Sequence, residues 1–549
     1  MNLYCKCKTF VAMMIVGLMT TIPLAKVHAQ AAPEPVAIIS VANIKKQQAD
    51  VKYILEAAGF GQLNFMVKTF LKGYTNGIDD KQPAGVMVYF DEDSVPGFLG
   101  FAPVEDMEEV LDVLATAAQI DEGDDSTAVI FDDGTEVIMK ESNGFAFFSN
   151  VEKTLDSLPD TPVDMLGDLP SRFNLSAQVF AQRIPPSMRD QVIQTIKDSA
   201  QMTLDNMEEN AINELQRKNL ENQMAQLEEA MNETDSIMFG MSVDPKGKRL
   251  LAEVEFTAME GTKLAKNIAA SKSEQPSRFT GFLMDGAFMT ANQCTRLGED
   301  EAKSYTDMLD SFQASALEEL KEEDLSDAEL DTVENAISSM MDVMKETMAE
   351  GVVDSGAVIM LNEGEVNFAA GLQVANPKKL EDTVKELSQL AEEKMGGELE
   401  INLNSGSHKD VTFHQFTVQI PDDEEEMRNA IGDQLELIVG VGKKEIYLGG
   451  GSNPLPLIKK AMDSTEMAKE MVQYNFYIAP LLDFAAKQEG DPTVDAMAKA
   501  IKESGNDRIS ITSDLIDNGI RMEFELQDGI LGLINVGYQA MQGGFNDDF

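Results

Sequence analysis

A strand–turn–strand–helix unit occurs once in each half of this chain, and no other feature restricts the fold as much. Val86–Phe90, a turn at Asp91–Gly97, Phe98–Val104 and a helical run Glu105–Ala117 make one copy. Ala357–Leu361, a turn at Asn362–Gly364, Val366–Ala375 and a helical run Pro377–Glu392 make the other.

The flanking segments repeat in the same order. Val36–Asn43 reads as a strand before the amphipathic stretch Lys45–Gly59. Its partner is Phe279–Asn292, read as a hairpin turning at Asp285-Gly286, before a helix over Glu299–Phe312. Glu136–Lys140, a turn at Ser142–Gly144 and Phe145–Phe148 lead into a helix Val151–Leu158. Leu435–Gly440, a turn at Gly442–Lys444 and Glu445–Leu448 lead likewise into Pro454–Met462. Ser149-Asn150 and Ser452-Asn453 precede these two helices, where such side chains cap free N–H groups. Phe173–Ala181 matches Tyr474–Ala479. Each half closes with a hairpin: Ser236–Val243 to Arg249–Thr257 through Asp244–Gly247, and Arg508–Ser513 to Gly519–Leu526 through Asp517–Gly519.

Tight hairpins with helices between them specify the α+β class: a tandem duplication of an antiparallel sheet covered by helices. The repeats should occupy 30–275 and 276–549, meeting in the polar stretch Ser271–Arg278. In Arg249–Thr257, Leu250, Ala252, Val254 and Phe256 alternate with polar residues, Leu251 excepted, which predicts one buried and one solvated face. A long amphipathic helix is expected at about 188–232, with a five-residue step from Leu215 to Leu220 where it turns its face or breaks. Leu330, Val333, Ile337, Met341, Met344 and Met348 form a similar stripe.

Residues 1–29 have the layout of a secretory signal peptide: Lys6 and Lys8, the apolar run Phe10–Leu24, and Val27-His28-Ala29 as the cleavage pattern. Cleavage after Ala29 would place the mature chain in the periplasm or outside the cell. No later stretch is long and apolar enough for a membrane span. The formal charge is −51, and the leader holds lysines but no acid, so the mature surface is more acidic still. Such a surface disfavours nucleic acid and anionic membranes. Beyond the leader Cys294 stands alone, which excludes an intrachain disulfide.

Candidate sites are few. His408 and His414, six apart around a presumed strand with Asp410 between them, would make half a zinc site; the plainer reading is two polar residues on an exposed strand. Gly449–Asn453 suggests a phosphate loop but lacks the Gly-Lys-Ser/Thr ending. No Gly-x-Ser-x-Gly elbow or Ser-x-x-Lys occurs, and Cys294 lies in a strand-like run suited to packing. Asp91–Asp93 and Asp121–Asp125 lack the calcium-loop pattern, and they read with Pro421–Glu426 as acidic surface loops. Phe549 would suit an outer-membrane barrel, but Gly543–Asp548 has no alternation. No catalytic residue, cofactor or metal is expected. The 33 methionines point instead to an apolar groove between long helices and the sheet, involving Met340, Met341, Met344, Met348, Met207 and Met224.

The leader, the Gly144–Ser149 join, Phe173–Pro186 and the charged run around Glu214–Glu221 resemble secreted proteins of unknown function common in planctomycete bacteria. That resemblance implies an exported, duplicated α+β protein and assigns no functional residue. The expectation is an exported non-enzymatic protein, structural or binding. A carrier of lipid or another apolar ligand is the alternative, and an enzyme of unrecognised class a second one. A closed, dry interface between the halves would favour the scaffold, and an open apolar cleft the carrier.

Overall fold

The computed structural model describes residues 34–91, 94–205, 217, 224–225, 227–273, 275–322, 325–362, 365–395, 399–421, 423–424, 428–429, 431–465, 468 and 470–543. The first half carries β1 (Ala37–Val41), β2 (Ala84–Phe90), β3 (Pro96–Pro103), β4 (Ala118–Glu122), β5 (Thr127–Phe131), β6 (Glu136–Ser142), β7 (Phe145–Ser149), β8 (Leu175–Phe180), β9 (Thr234–Asp244) and β10 (Arg249–Ala258). The second carries β11 (Met289–Arg296), β12 (Val352–Asn362), β13 (Glu365–Gln373), β14 (Leu399–His408), β15 (Val411–Gln419), β16 (Gln434–Val441), β17 (Glu445–Gly451), β18 (Val472–Tyr477), β19 (Arg508–Ile516) and β20 (Gly519–Gln527).

All twenty pair into one antiparallel sheet. From one edge the first half runs β4-β5-β6-β7-β3-β2-β1-β8-β9-β10. From the other edge the second runs β14-β15-β16-β17-β13-β12-β11-β18-β19-β20, the same order with ten added to each number. The halves join where β10 pairs β20, Glu253 opposite Glu523. Helices fill corresponding gaps. α1 (Ile44–Ala57) and α2 (Asn64–Tyr74) link β1 to β2, and α3 (Met107–Leu114) follows β3. α4 (Leu169–Arg172) precedes β8, α5 (Pro186–Asp205) follows it, and α6 (Lys263–Ala270) follows β10. In the second half come α7 (Glu299–Glu319), α8 (Asp327–Ala349), α9 (Pro377–Met395), α10 (Leu455–Asp463), α11 (Ile478–Glu489), α12 (Pro492–Ser504) and, after β20, α13 (Gly529–Gly543). The class is α+β.

One face of the sheet is sealed in each half by short helical pieces. Met87, Leu99, Phe101, Phe147 and Met238 pack there against Leu155, Leu166 and Leu169. Val358, Phe413, Ile438 and Tyr447 pack against Phe279, Phe282 and Ile458. The opposite face is covered toward both sheet edges, by α3 over Val129, Val137 and Phe148 and by α8 and α9 around Ile446.

Several expectations are corrected. Phe279–Asn292 is no hairpin: Thr280–Phe282 is a 3-10 turn, and only Met289 onward is strand. Phe279 and Phe282 are drawn into the core, beneath Gly356 and Gly371, where any Cβ would strike their rings. Val151–Leu158 shrinks to a 3-10 turn over Glu152–Asp156. The Ser149 hydroxyl accepts from Val151 N–H at 3.0 Å, at the entry to that turn, and donates to the Phe98 carbonyl at 2.6 Å, while Asn150 Oδ1 accepts from Phe98 N–H at 2.9 Å instead of capping it. Asn453 N–H likewise bonds Asn367 Oδ1 at 2.8 Å, so the Ser-Asn pairs stitch strand ends together. The tract at Asp121 is half strand, since β4 and β5 form a hairpin that lacks strong apolar alternation. Of the helix expected at about 188–232, α5 is described as far as Asp205, and Lys197 on it pairs with Glu228; the step from Leu215 to Leu220 lies outside the described residues. On α8 the buried positions are Ala336, Met341, Val343 and Thr347, a stripe rotated from the expected one.

Phe282→Ala should lower unfolding free energy by about 3–5 kcal/mol, since a fully buried ring would leave a cavity that glycine-lined strands cannot refill. Urea titration followed by circular dichroism checks this.

Candidate functional site

The seam between β10 and β20 is where the two faces of the sheet differ most. Opposed residues in antiparallel strands share a face. Leu250, Ala252, Val254 and Phe256 stand opposite Leu526, Phe524, Met522 and Ile520. Outward along the same face come Val243, Met241, Phe239 and Ile237 of β9, and Ala177 and Val179 of β8. In the other direction come Ile509, Ile511 and Leu515 of β19, then Phe476 and Tyr474 of β18. Ser513 is a rare polar interruption. Six strands at about 4.8 Å spacing make an apolar strip roughly 25 Å across.

This strip is open. Val179, Ile237, Phe239, Met241, Met522 and Phe524 are 38–46% exposed, while Met238 beside them on the other face is 2% exposed. α6 covers one end, packing on Phe256, Leu515 and Ile520. The expected full burial of Leu250, Ala252, Val254 and Phe256 is therefore not met: Phe256 lies under α6, the other three line the open face, and all four are half-buried. Their polar neighbours point to the other side.

There the arginines and glutamates form two clusters. Arg172 reaches Glu253 at 2.5 Å and Glu255 at 2.7 Å, and Arg521 reaches Glu255 at 2.6 Å. Arg249 and Arg508 grip Glu525 at 2.7 and 2.5 Å. Burial pushes the Glu253 carboxyl up. Burial acts the same way on Glu255 and Glu525, but hydrogen bonds from their arginine pairs outweigh it and hold both below the ordinary carboxylate range. A polar ladder continues from Glu525: Ser510 donates to Asn475 at 2.9 Å, and Asn475 to Thr290 at 3.0 Å.

The other candidates separate. His408 ends β14 and His414 lies within β15, so they do not share a strand. His408 pairs with Asp463 at 2.8 Å. His414 is fully buried, contrary to the exposed-strand reading; its Nδ1 accepts from Asn404 N–H at 3.3 Å and its Nε2 lies 3.5 Å from Glu381. Burial lowers its pKa, so it is neutral at pH 7. Among the described residues no group of three or more His, Cys, Asp and Glu could hold a metal. Gly449–Gly451 belong to β17, not to a loop; side chains there would strike Pro454, Phe368 and the Val366 carbonyl. Cys294 is buried, its thiol pushed up by burial, beside a polar cavity of about 200 Å³ with Asp354 and Arg278 on its wall. Of the methionines, Met340 and Met344 are exposed, Met341 is buried, Met348 and Met224 are half-buried, and Met207 lies outside the described residues. The open apolar residues Phe239, Met241, Met522 and Phe524 were not expected as a site. Alternation in β10 was their only sequence signal, and it does not say which face stays uncovered.

Among the described residues no helix is long and apolar enough to cross a membrane. Compared with known proteins, the chain matches no family model, no curated protein and no solved structure.

Glu525→Gln would leave Arg249 and Arg508 without their shared carboxylate, with an expected loss of about 3 kcal/mol. Because the folded carboxyl sits below its ordinary 4.5, its stabilisation is complete above that value and is lost as pH falls through the folded one. The gap in urea midpoint between wild type and variant should therefore narrow from about pH 7 to about pH 3.

Proposed function

We infer that this is a non-enzymatic binding protein, exported by way of the leader at 1–29, whose open sheet face takes up an apolar ligand such as the acyl chains of a lipid. One observation carries the reading: an apolar strip centred on the seam stays exposed while the reverse of the same strands is sealed or ion-paired. Monomeric proteins rarely leave so broad an apolar surface uncovered unless something binds there. Position strengthens the case. The strip lies where the halves meet, and an open apolar face there favours a carrier over a closed scaffold. The chain's acidity favours a ligand whose buried part is uncharged. The repeated strand order is best explained by tandem duplication, which would give both halves a share in one binding face.

Native mass spectrometry of the exported protein should show co-purifying lipid, and a fluorescent fatty acid should bind and be displaced by unlabelled lipid. Phe239→Asp and Phe524→Asp place charges on the open face, so each should keep the fold at a cost of about 1–3 kcal/mol while probe binding falls at least tenfold. A wild-type protein that purifies empty and ignores the probe would end this reading.

A further inference from the structure

A second apolar surface lies away from the sheet and has its own electrostatic character. α2 and α13 come from opposite ends of the chain and converge on α1. The Phe60 ring meets Tyr538 at 5.9 Å, Asn535 fills the space above Gly59, and a Cβ at Gly532 would stand 3.5 Å from the Ala57 carbonyl. Around this contact several outward side chains are apolar, among them Phe65 at 78% exposed, Met66 at 60%, Ile534 at 55% and Tyr538 at 51%, with Gln62, Thr69 and Gln539 beside them. Ile534 and Tyr538 are one helical turn apart, on one side of α13. No residue of α2 is buried, although the helix includes Val67, Phe70 and Leu71.

The charge here differs from that of the molecule as a whole, since the acid beside it, Glu56 of α1, accepts from Asn64 at 3.2 Å and lies 3.8 Å from Lys52. In a chain of formal charge −51, α13 has no charged residue, and α2 has Lys68 and Lys72 and no acid. Neither lysine forms an ion pair among the described residues, and both are exposed. α7 supplies the contrast. Its stripe Tyr305, Met308 and Phe312 is also exposed, but Glu301 and Glu319 stand on the same side of that helix. At physiological ionic strength charges are screened beyond about 8 Å, so an approaching surface responds to the local charge and not to the total.

We propose that α2 and α13 together form a docking surface for an anionic lipid bilayer, with Phe65, Met66, Ile534 and Tyr538 entering the interface and Lys68 and Lys72 facing headgroup phosphates. Exposed aromatic and aliphatic side chains beside lysines, on a helix too short to span, are what interfacial binding requires. Charge complementarity selects this partner: the α7 stripe, rimmed by glutamates, would be repelled by the same bilayer. The proposal does not rest on the sheet-face reading, since none of these residues lies in the strip.

Flotation of the full mature chain with phosphatidylcholine vesicles, with and without phosphatidylglycerol, tests it. The protein should float with the anionic vesicles and release at high salt. Lys68→Glu with Lys72→Glu should cut the bound fraction by about tenfold or more. Phe65→Ser with Met66→Ser should do the same, whereas Phe312→Ser should not. Phe239→Asp should still float even where it has lost fatty-acid binding, which keeps the two readings distinguishable. Absence of flotation, flotation unchanged by either double variant, or Phe65-dependent self-association without vesicles would overturn it.

Discussion

The pairing of β10 with β20 is the constraint on which the rest of the molecule depends. Each is the last strand of its half, and each would otherwise be an exposed sheet edge with unpaired N–H and C=O groups. Paired to each other, they turn two ten-stranded sheets into one and bring two apolar alternations into register. Register alone does not hold such a junction, because a slip of one residue would move every side chain to the opposite face. The Arg172–Glu255–Arg521 and Arg249–Glu525–Arg508 clusters discriminate against that slip, since each guanidinium meets a carboxylate in the present alignment only.

This arrangement also accounts for the open strip. Charged groups at the seam need partners and partial cover, and they occupy the side where Arg172 arrives from the end of α4. The apolar members of the same strands must then face the other way. α3, α8 and α9 are anchored near the sheet edges and α6 reaches one end of the seam, so much of the strip remains uncovered. On the reading proposed above, burial that would stabilise an ordinary sandwich is left for a ligand. The α2 and α13 surface adds a second exposed apolar patch, with lysines in place of acids on α2, and on the readings proposed above the two would meet a lipid surface and hold an apolar chain. Neither site needs a reactive group.

Much of the architecture was legible in the residues. Hairpins at Asp244–Gly247 and Asp517–Asn518 follow from turn chemistry, and Asn518 takes the positive φ of 54° that such a reversal requires. The helices over Lys45–Gly59, Glu299–Phe312 and Pro377–Glu392 follow from apolar periodicity. Three failures have physical causes. Phe279–Met284 is as apolar as a strand, but its rings fill space left by glycines on β12 and β13, a long-range demand with no local signature. The edge strands β4 and β14 lie where one-sided burial is weak and alternation fades. His414 read as exposed because a histidine is polar, yet Glu381 of α9 lies over it.

The sequence by itself determined the strands, most turns and the order in which similar units recur, because propensity and periodicity act over a few residues. It also determined the charge, and with it the kinds of partner most of the surface disfavours. Only the tertiary structure decided which side of each strand is covered, and whether the halves close on each other or leave a face open. Alternation names two sides of a strand, but burial depends on what packs from far along the chain.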